Sequence, residues 1–160
     1  MTGDGRGKGR RFAIVASEFN AAVTDGLLTQ CLKTLRENGV AAKDMLVAHV
    51  PGAFELPLAA QTLAGTRRFN AVIALGCVLR GETPHDRYLA AETARGLGDA
   101  ALATGVPVIF GVLTPLDERQ ARERSSAGPL NKGREAALAA LRMANLMPQL
   151  VRPRPAGKGR

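Results

Sequence analysis

The residues best suited to chemistry meet in the turn Arg80-Gly-Glu-Thr-Pro-His85, which ends in one of the chain's two histidines. An imidazole can take up and return protons near neutral pH. A Gly-Glu-Thr turn running into a helix can offer backbone N–H groups to an anion. Other loops hold compatible pieces: Phe19 within Ser17-Glu-Phe-Asn20, Glu55 at a helix start after Pro51-Gly52, and the stretch Phe110 to Thr114. An aromatic ring, a carboxylate, an anion turn and a histidine make a pocket for a planar, polar, partly anionic small molecule. Each also has a structural alternative. Phe19 could be a loop residue tucked into the core, Glu55 could serve the helix macrodipole, and Thr83 could be an N-cap. His49 lies inside a strand and reads as structural.

These residues belong to one site only if the fold brings their loops together, and the hydrophobic pattern predicts that it does. Ala71-Val-Ile-Ala-Leu-Gly-Cys-Val-Leu79 is a continuous apolar run, the pattern of a strand buried on both faces. Phe12–Ala16, Met45–Val50 and Val106–Leu113 are three further strands. Between them lie helical stretches from about Ala21 to Asn38, from near Glu55 to Gly65, and from about Asp86 to Ala103. Pro57 suits only a first helical turn and so sets the start of the second. A short helix around Asp117–Ser125 and a longer one from about Lys132 to Met147 complete the pattern. Strict alternation predicts an α/β fold, a three-layer α-β-α sandwich around a four-stranded parallel sheet. In such a sheet the carboxyl ends of the strands share one edge, and ligands bind there.

At 160 residues, 46% hydrophobic and 22% charged, the chain is a single domain able to bury a core. Its formal charge of +8 is unevenly spread: Met1–Arg11 carries a net +3 and Leu150–Arg160 a net +4, leaving the middle near +1. The expected organisation is therefore a flexible basic Gly-rich tail over 1–11, a domain over 12–149, and a basic Pro/Gly-rich tail over 150–160. With 4% aromatic residues there is little for base stacking, which argues against nucleic acid as a partner. No apolar run reaches the roughly 18–20 residues of a membrane span, and no apolar signal core follows the first basic residues, so a cytoplasmic location is expected. Cys31 and Cys77 form no metal-ligand cluster and read as reduced core thiols. The glycines of Gly3–Gly9 lack the preceding strand and the following Ser or Thr of a phosphate loop.

Phe19-Asn20, Pro51-Gly-Ala-Phe-Glu55, Gly76 through His85, Phe110-Gly-Val-Leu-Thr114, Glu123-Arg124, Asn131-Lys-Gly133 and Met143-Ala-Asn-Leu146 occur in the order and spacing of a known set. On these motifs the chain resembles the lumazine synthase family over nearly all of Phe12 to Met147. The resemblance implies a flavodoxin-like fold and a part in riboflavin biosynthesis. The family condenses 5-amino-6-(D-ribitylamino)uracil with 3,4-dihydroxy-2-butanone 4-phosphate to 6,7-dimethyl-8-ribityllumazine, releasing phosphate and water, with no metal or organic cofactor. Carried over by position, Phe19 stacks on the pyrimidine, and Ala53, Phe54 and Glu55 bind the ring and ribityl chain. Cys77, Val78 and Leu79 line the same pocket largely through backbone groups, and Phe110 walls the pyrimidine site. Glu82 and Thr83 frame the phosphate, Arg124 supplies its cation, Lys132 is nearby, and His85 is the proton shuttle.

The resemblance further implies a homo-oligomer built from pentamers, with each site shared between neighbours, and riboflavin synthase as a partner. Some family members assemble into icosahedral shells, and the short link between Arg124 and Asn131 resembles theirs. One departure stands out: an aromatic and then an acidic residue usually follow the family's histidine, whereas here Asp86-Arg87 follow His85. Three rival readings are a riboflavin synthase on the same scaffold, a non-catalytic flavin or lumazine carrier, and a structural compartment whose tails bind cargo.

Overall fold

A computed structural model describes residues 1–151. Its order is β1 (Phe12–Ser17), α1 (Ala21–Glu37), β2 (Met45–Val50), α2 (Leu56–Gly65), β3 (Ala71–Cys77), α3 (His85–Thr104), β4 (Val108–Leu113), α4 (Glu118–Ser125) and α5 (Lys132–Val151). The sheet is four-stranded and parallel, in the order β2-β1-β3-β4. The chain winds outward from β1 to β2, then returns to place β3 on the other side of β1. The strand order therefore reverses between β1 and β3, and the crevice at their carboxyl ends is where doubly wound sheets bind ligands.

The central strands are buried on both faces, which explains why their sequences are apolar without alternation. Phe12, Ile14, Ile73 and Leu75 pack against Leu27, Cys31 and Leu35 of α1 and Leu141 of α5. Ala13, Val15, Val72 and Ala74 pack on the opposite layer with Leu56 and Ala60 of α2 and Leu97 of α3. Helices α1 and α5 lie so close that a Cβ at Gly133 would overlap the Leu27 carbonyl oxygen. That residue must be glycine for α5 to begin where it does.

Several boundaries differ from the sequence pattern for local reasons. β4 begins at Val108 rather than Val106, because Pro107 has no N–H for a ladder bond. α5 runs past Met147 to Val151 with Pro148 inside its last turn, so the domain extends beyond 149. The rest of the expected C-terminal tail, 152–160, lies outside the described residues. His49 lies inside a strand as expected, and is exposed there, because β2 is an edge strand with one neighbour.

Residues 1–11, expected to be a flexible tail, lie on the domain. Gly7 N–H donates to Asn38 O at 2.7 Å. Asn145 Nδ2 donates to Asp4 O at 3.1 Å and Arg6 O at 2.8 Å, while Arg10 Nε donates to Asn145 Oδ1 at 2.8 Å. Gly3 and Gly7 are buried, and a Cβ on Gly3 would overlap the Arg142 carbonyl. The glycines that look like poor folding material are what allow this segment to lie on α5. Asn145→Ala removes the hub of these contacts and is expected to cost about 1–2 kcal/mol. Faster amide exchange in residues 3–8 and a lower urea midpoint would register the loss.

Candidate active site

Three loops close around one cavity at the β1/β3 crevice. After β1 the chain turns sharply, with Asn20 in the left-handed region at φ 61° and ψ 42°. Asn tolerates that conformation better than most residues. Its side chain does not cap α1; Asn20 Nδ2 donates instead to Cys77 O at 2.9 Å, tying the β1 loop to the end of β3. The same turn leaves Phe19 71% exposed, so it is not tucked into the core. After β2, Gly52 N–H donates to Glu55 Oε2 at 2.9 Å, which fixes a short 3₁₀ turn over Ala53–Glu55 and leaves Phe54 63% exposed. Thr93 Oγ1 of α3 donates to Ala53 O at 3.2 Å and pins that turn to the opposite layer.

The cavity these loops enclose measures about 760 Å³. Phe19, Ala53, Phe54 and Glu55 line it from the β1 and β2 loops, and Cys77, Val78 and Leu79 form its floor at the end of β3. Thr83 and His85 close it from the start of α3. Glu82 is exposed and does not line the cavity. Thr83 is not an N-cap: Pro84 occupies that position, without a side-chain cap bond. The first turn of α3 therefore keeps backbone donors free of side-chain competition beside Gly81 and Thr83, as an anion site needs. Glu55 has a structural role other than the macrodipole one considered for it: Oε2 accepts from Gly52 N–H and closes its own turn.

Phe110, Arg124 and Lys132 are not part of this cavity. They line a second one of about 420 Å³, at edge strand β4 on the side of α4 and α5, and the two cavities share no lining residue. Phe110 is 46% exposed there. Arg124 and Lys132 are placed by Asn131, which is almost fully buried. Asn131 Nδ2 donates to Ser125 O at 2.6 Å and Ser126 O at 3.1 Å, and its Oδ1 accepts from Arg134 N–H at 3.1 Å. That clamp joins the end of α4 to the start of α5 and sets the two cations on one wall. Lys132 Nζ is paired with Glu135 Oε2 at 2.5 Å, whereas Arg124 has no carboxylate partner among the described residues.

The electrostatics narrow the chemistry further. Burial pushes the Cys77 thiol up to about 11 and the Cys31 thiol up to about 12. Both stay protonated near neutral pH, so neither supplies a thiolate nucleophile. Asp86 lines the cavity with His85; Arg87 lies instead against a separate cleft behind the turn. Asn20, Tyr88 and Glu92 also line the larger cavity and Gln120 and Glu135 the smaller one, though none of them stood out as a ligand-binding residue in the sequence. The exposed Tyr88 and Glu92 lie one and two helical turns after His85, a spacing that could have revealed them. Among the described residues no group of His, Cys, Asp and Glu could hold a metal ion, and no helix is long and apolar enough to cross a membrane.

Known proteins with this sequence pattern agree with each other. A family model described as 6,7-dimethyl-8-ribityllumazine synthase matches residues 9–148. A 6,7-dimethyl-8-ribityllumazine synthase of Syntrophus aciditrophicus (strain SB) is 48% identical over 143 residues, 89% of this chain and 93% of that protein. Another of the same name from Halorhodospira halophila (strain DSM 244 / SL1) is 49% identical over 140 residues, 88% of this chain and 90% of that protein.

Proposed function

The chain belongs to the 6,7-dimethyl-8-ribityllumazine synthase family, and from that membership and its two cavities we propose how its residues divide the work. It is a transferase of riboflavin biosynthesis. It condenses 5-amino-6-(D-ribitylamino)uracil with 3,4-dihydroxy-2-butanone 4-phosphate to the lumazine, releasing phosphate and water. In our reading the larger cavity takes the uracil and its ribityl chain. Phe19 stacks on the ring, Phe54 walls it, the Ala53–Glu55 turn and the Cys77–Leu79 backbone supply polar contacts, and His85 moves protons. Arg124, with Lys132, holds the phosphate near the N–H groups of the Gly81–Thr83 turn, and Phe110 closes the ring site.

The observation that carries this reading is the separation of the cavities. A residue set that should act on one pair of substrates is divided between two openings on one chain. A neighbouring copy bringing its β4 edge and α4 to the larger cavity would reunite Phe110, Arg124 and Lys132 with His85. That arrangement closes a ring of identical interfaces, for which a homopentamer is the proposed form, alone or stacked into larger shells. Exposed Phe19, Phe54 and Phe110 then lie between copies, where apolar surface is normally covered. Riboflavin synthase, which consumes lumazine, is the proposed functional partner, and the cytoplasm the proposed location.

The geometry suits chemistry without an enzyme nucleophile. The uracil's 5-amino group attacks the ketone and loses water to form an imine. A proton leaves the adjacent carbon as the phosphate departs with its bonding electrons. The enol this leaves tautomerises to a ketone and a methyl group, and the ribitylamino nitrogen closes the ring onto that new carbonyl with loss of a second water. Each step needs proton transfer, which His85 can supply, and proximity, which the paired cavities supply. Mixing the two substrates with EDTA-treated enzyme is expected to yield lumazine and phosphate in equal amounts. Riboflavin formation from lumazine alone, or lumazine binding without turnover of the two substrates, would instead favour a sister synthase or a carrier.

A further inference from the structure

We propose that the cleft between Arg80 and Arg87 is a second binding site for a phosphate-class anion, distinct from the site assigned to Arg124. The turn carrying His85 has two sides. The larger cavity lies on one, and on the other is a cleft of about 270 Å³ lined by Arg80, Arg87, Asp86 and Thr114, with Val78 and Leu116 as its apolar floor and rim.

The backbone builds this cleft. Val78 N–H donates to Leu113 O at 2.8 Å and Arg80 N–H to Pro115 O at 3.1 Å, so the segments leaving β3 and β4 run side by side as one wall. The first turn of α3 forms the other, fixed by Arg87 N–H donating to Pro84 O at 3.0 Å. Neither Arg80 nor Arg87 has a carboxylate within ion-pairing distance among the described residues, whereas Arg119 and Arg122 each have one and Arg95 has two. Asp86 also faces the cleft, leaving it a net positive charge from two guanidiniums and one carboxylate. Arginine forks match the oxygens of a tetrahedral phosphate, and the Thr114 hydroxyl adds a neutral donor. The volume lies just below the usual range for pockets that enclose larger organic ligands, which suits a small anion with its water.

Its neighbours define its relation to the reaction. The cleft shares Val78 and Asp86 with the larger cavity, and Thr114 and Pro115 with the cavity holding Arg124. It therefore adjoins the larger cavity of one proposed site and the Arg124 cavity that this chain offers to a neighbour's site, in a place to take up phosphate arriving at or leaving either. Only the identity of the anion rests on the reaction; the cleft stands on its own residues.

The test is binding of inorganic phosphate to the intact oligomer by titration calorimetry and phosphorus NMR, with circular dichroism as a check on folding. Wild type is expected to take up phosphate at two classes of site. R124A should lose one class and R87D the other, each weakened by about tenfold or more. R80A repeats the test where R87D fails to fold. Phosphate binding by R87D and R80A that matches wild type would overturn the proposal, as would loss of both classes in R124A alone. If R87D removes one class and R124A removes none, the cleft stands and the role given to Arg124 fails. Glycerol 3-phosphate in place of inorganic phosphate identifies the source: equal uptake marks the incoming ester as occupant, and preference for inorganic phosphate marks the released product.

Discussion

Replacing Arg124 by alanine is expected to lower kcat/KM for the butanone phosphate by about a hundredfold, while the uracil substrate still binds within about twofold of wild type. The reasoning starts from charge. A hydrogen bond between ionised groups contributes about 1.5–3 kcal/mol, and a guanidinium can make two to one phosphate. Arg124 is available for this because no carboxylate neutralises it among the described residues, whereas Lys132 beside it is paired with Glu135. Lysine at position 124 should recover only part of the loss, since it offers a point charge in place of a planar fork. Steady-state kinetics with each substrate varied in turn separates the effects. An unchanged KM for the phosphate substrate would remove Arg124 from the site.

The second large effect belongs to His85. His85→Ala is expected to reduce kcat by about a hundredfold without abolishing turnover, because general acid–base catalysis contributes about 10²–10⁴ while holding the substrates together contributes independently. The ring sits at the first residue of α3 and makes no side-chain hydrogen bond among the described residues, while Asn20 ties the β1 loop to the end of β3 independently of it, so its loss should leave the cavity intact. Retained binding of the uracil substrate by equilibrium titration, together with slowed single turnover, would confirm that the loss is chemical. Turnover at the wild-type rate would mean that solvent or another group moves the protons.

The sequence disclosed the layers of this fold because its central strands are buried on both faces, and burial on both faces leaves an uninterrupted apolar run. It disclosed that Phe19, Glu55 and His85 would line one cavity, because parallel strands place all their following loops on one edge. Strand order was less visible: His49 sits within an apolar strand, and only the placement of β2 at the edge explains its exposure. The N-terminal segment misled for a related reason. Glycines and scattered charges have no periodicity, and the partners that hold them, Asn38 and Asn145, are distant in sequence. The direction of Arg87 was also hidden. Two residues after His85 in sequence, it lines the cleft with Arg80 and not the larger cavity, whereas Asp86 lines both. Local pattern fixes which elements form, whereas such contacts depend on how distant elements pack.

The central claim is that the site is complete only where two copies meet. The most direct measurement is the activity of mixed assemblies made by co-expressing His85→Ala and Arg124→Ala chains, each crippled alone. With random mixing in a ring of identical interfaces, about one interface in four pairs an intact His85 face with an intact Arg124 face. The mixed assemblies should therefore recover about a quarter of wild-type activity, far above either parent. Activity no greater than that of the two variants measured separately would contradict the shared site.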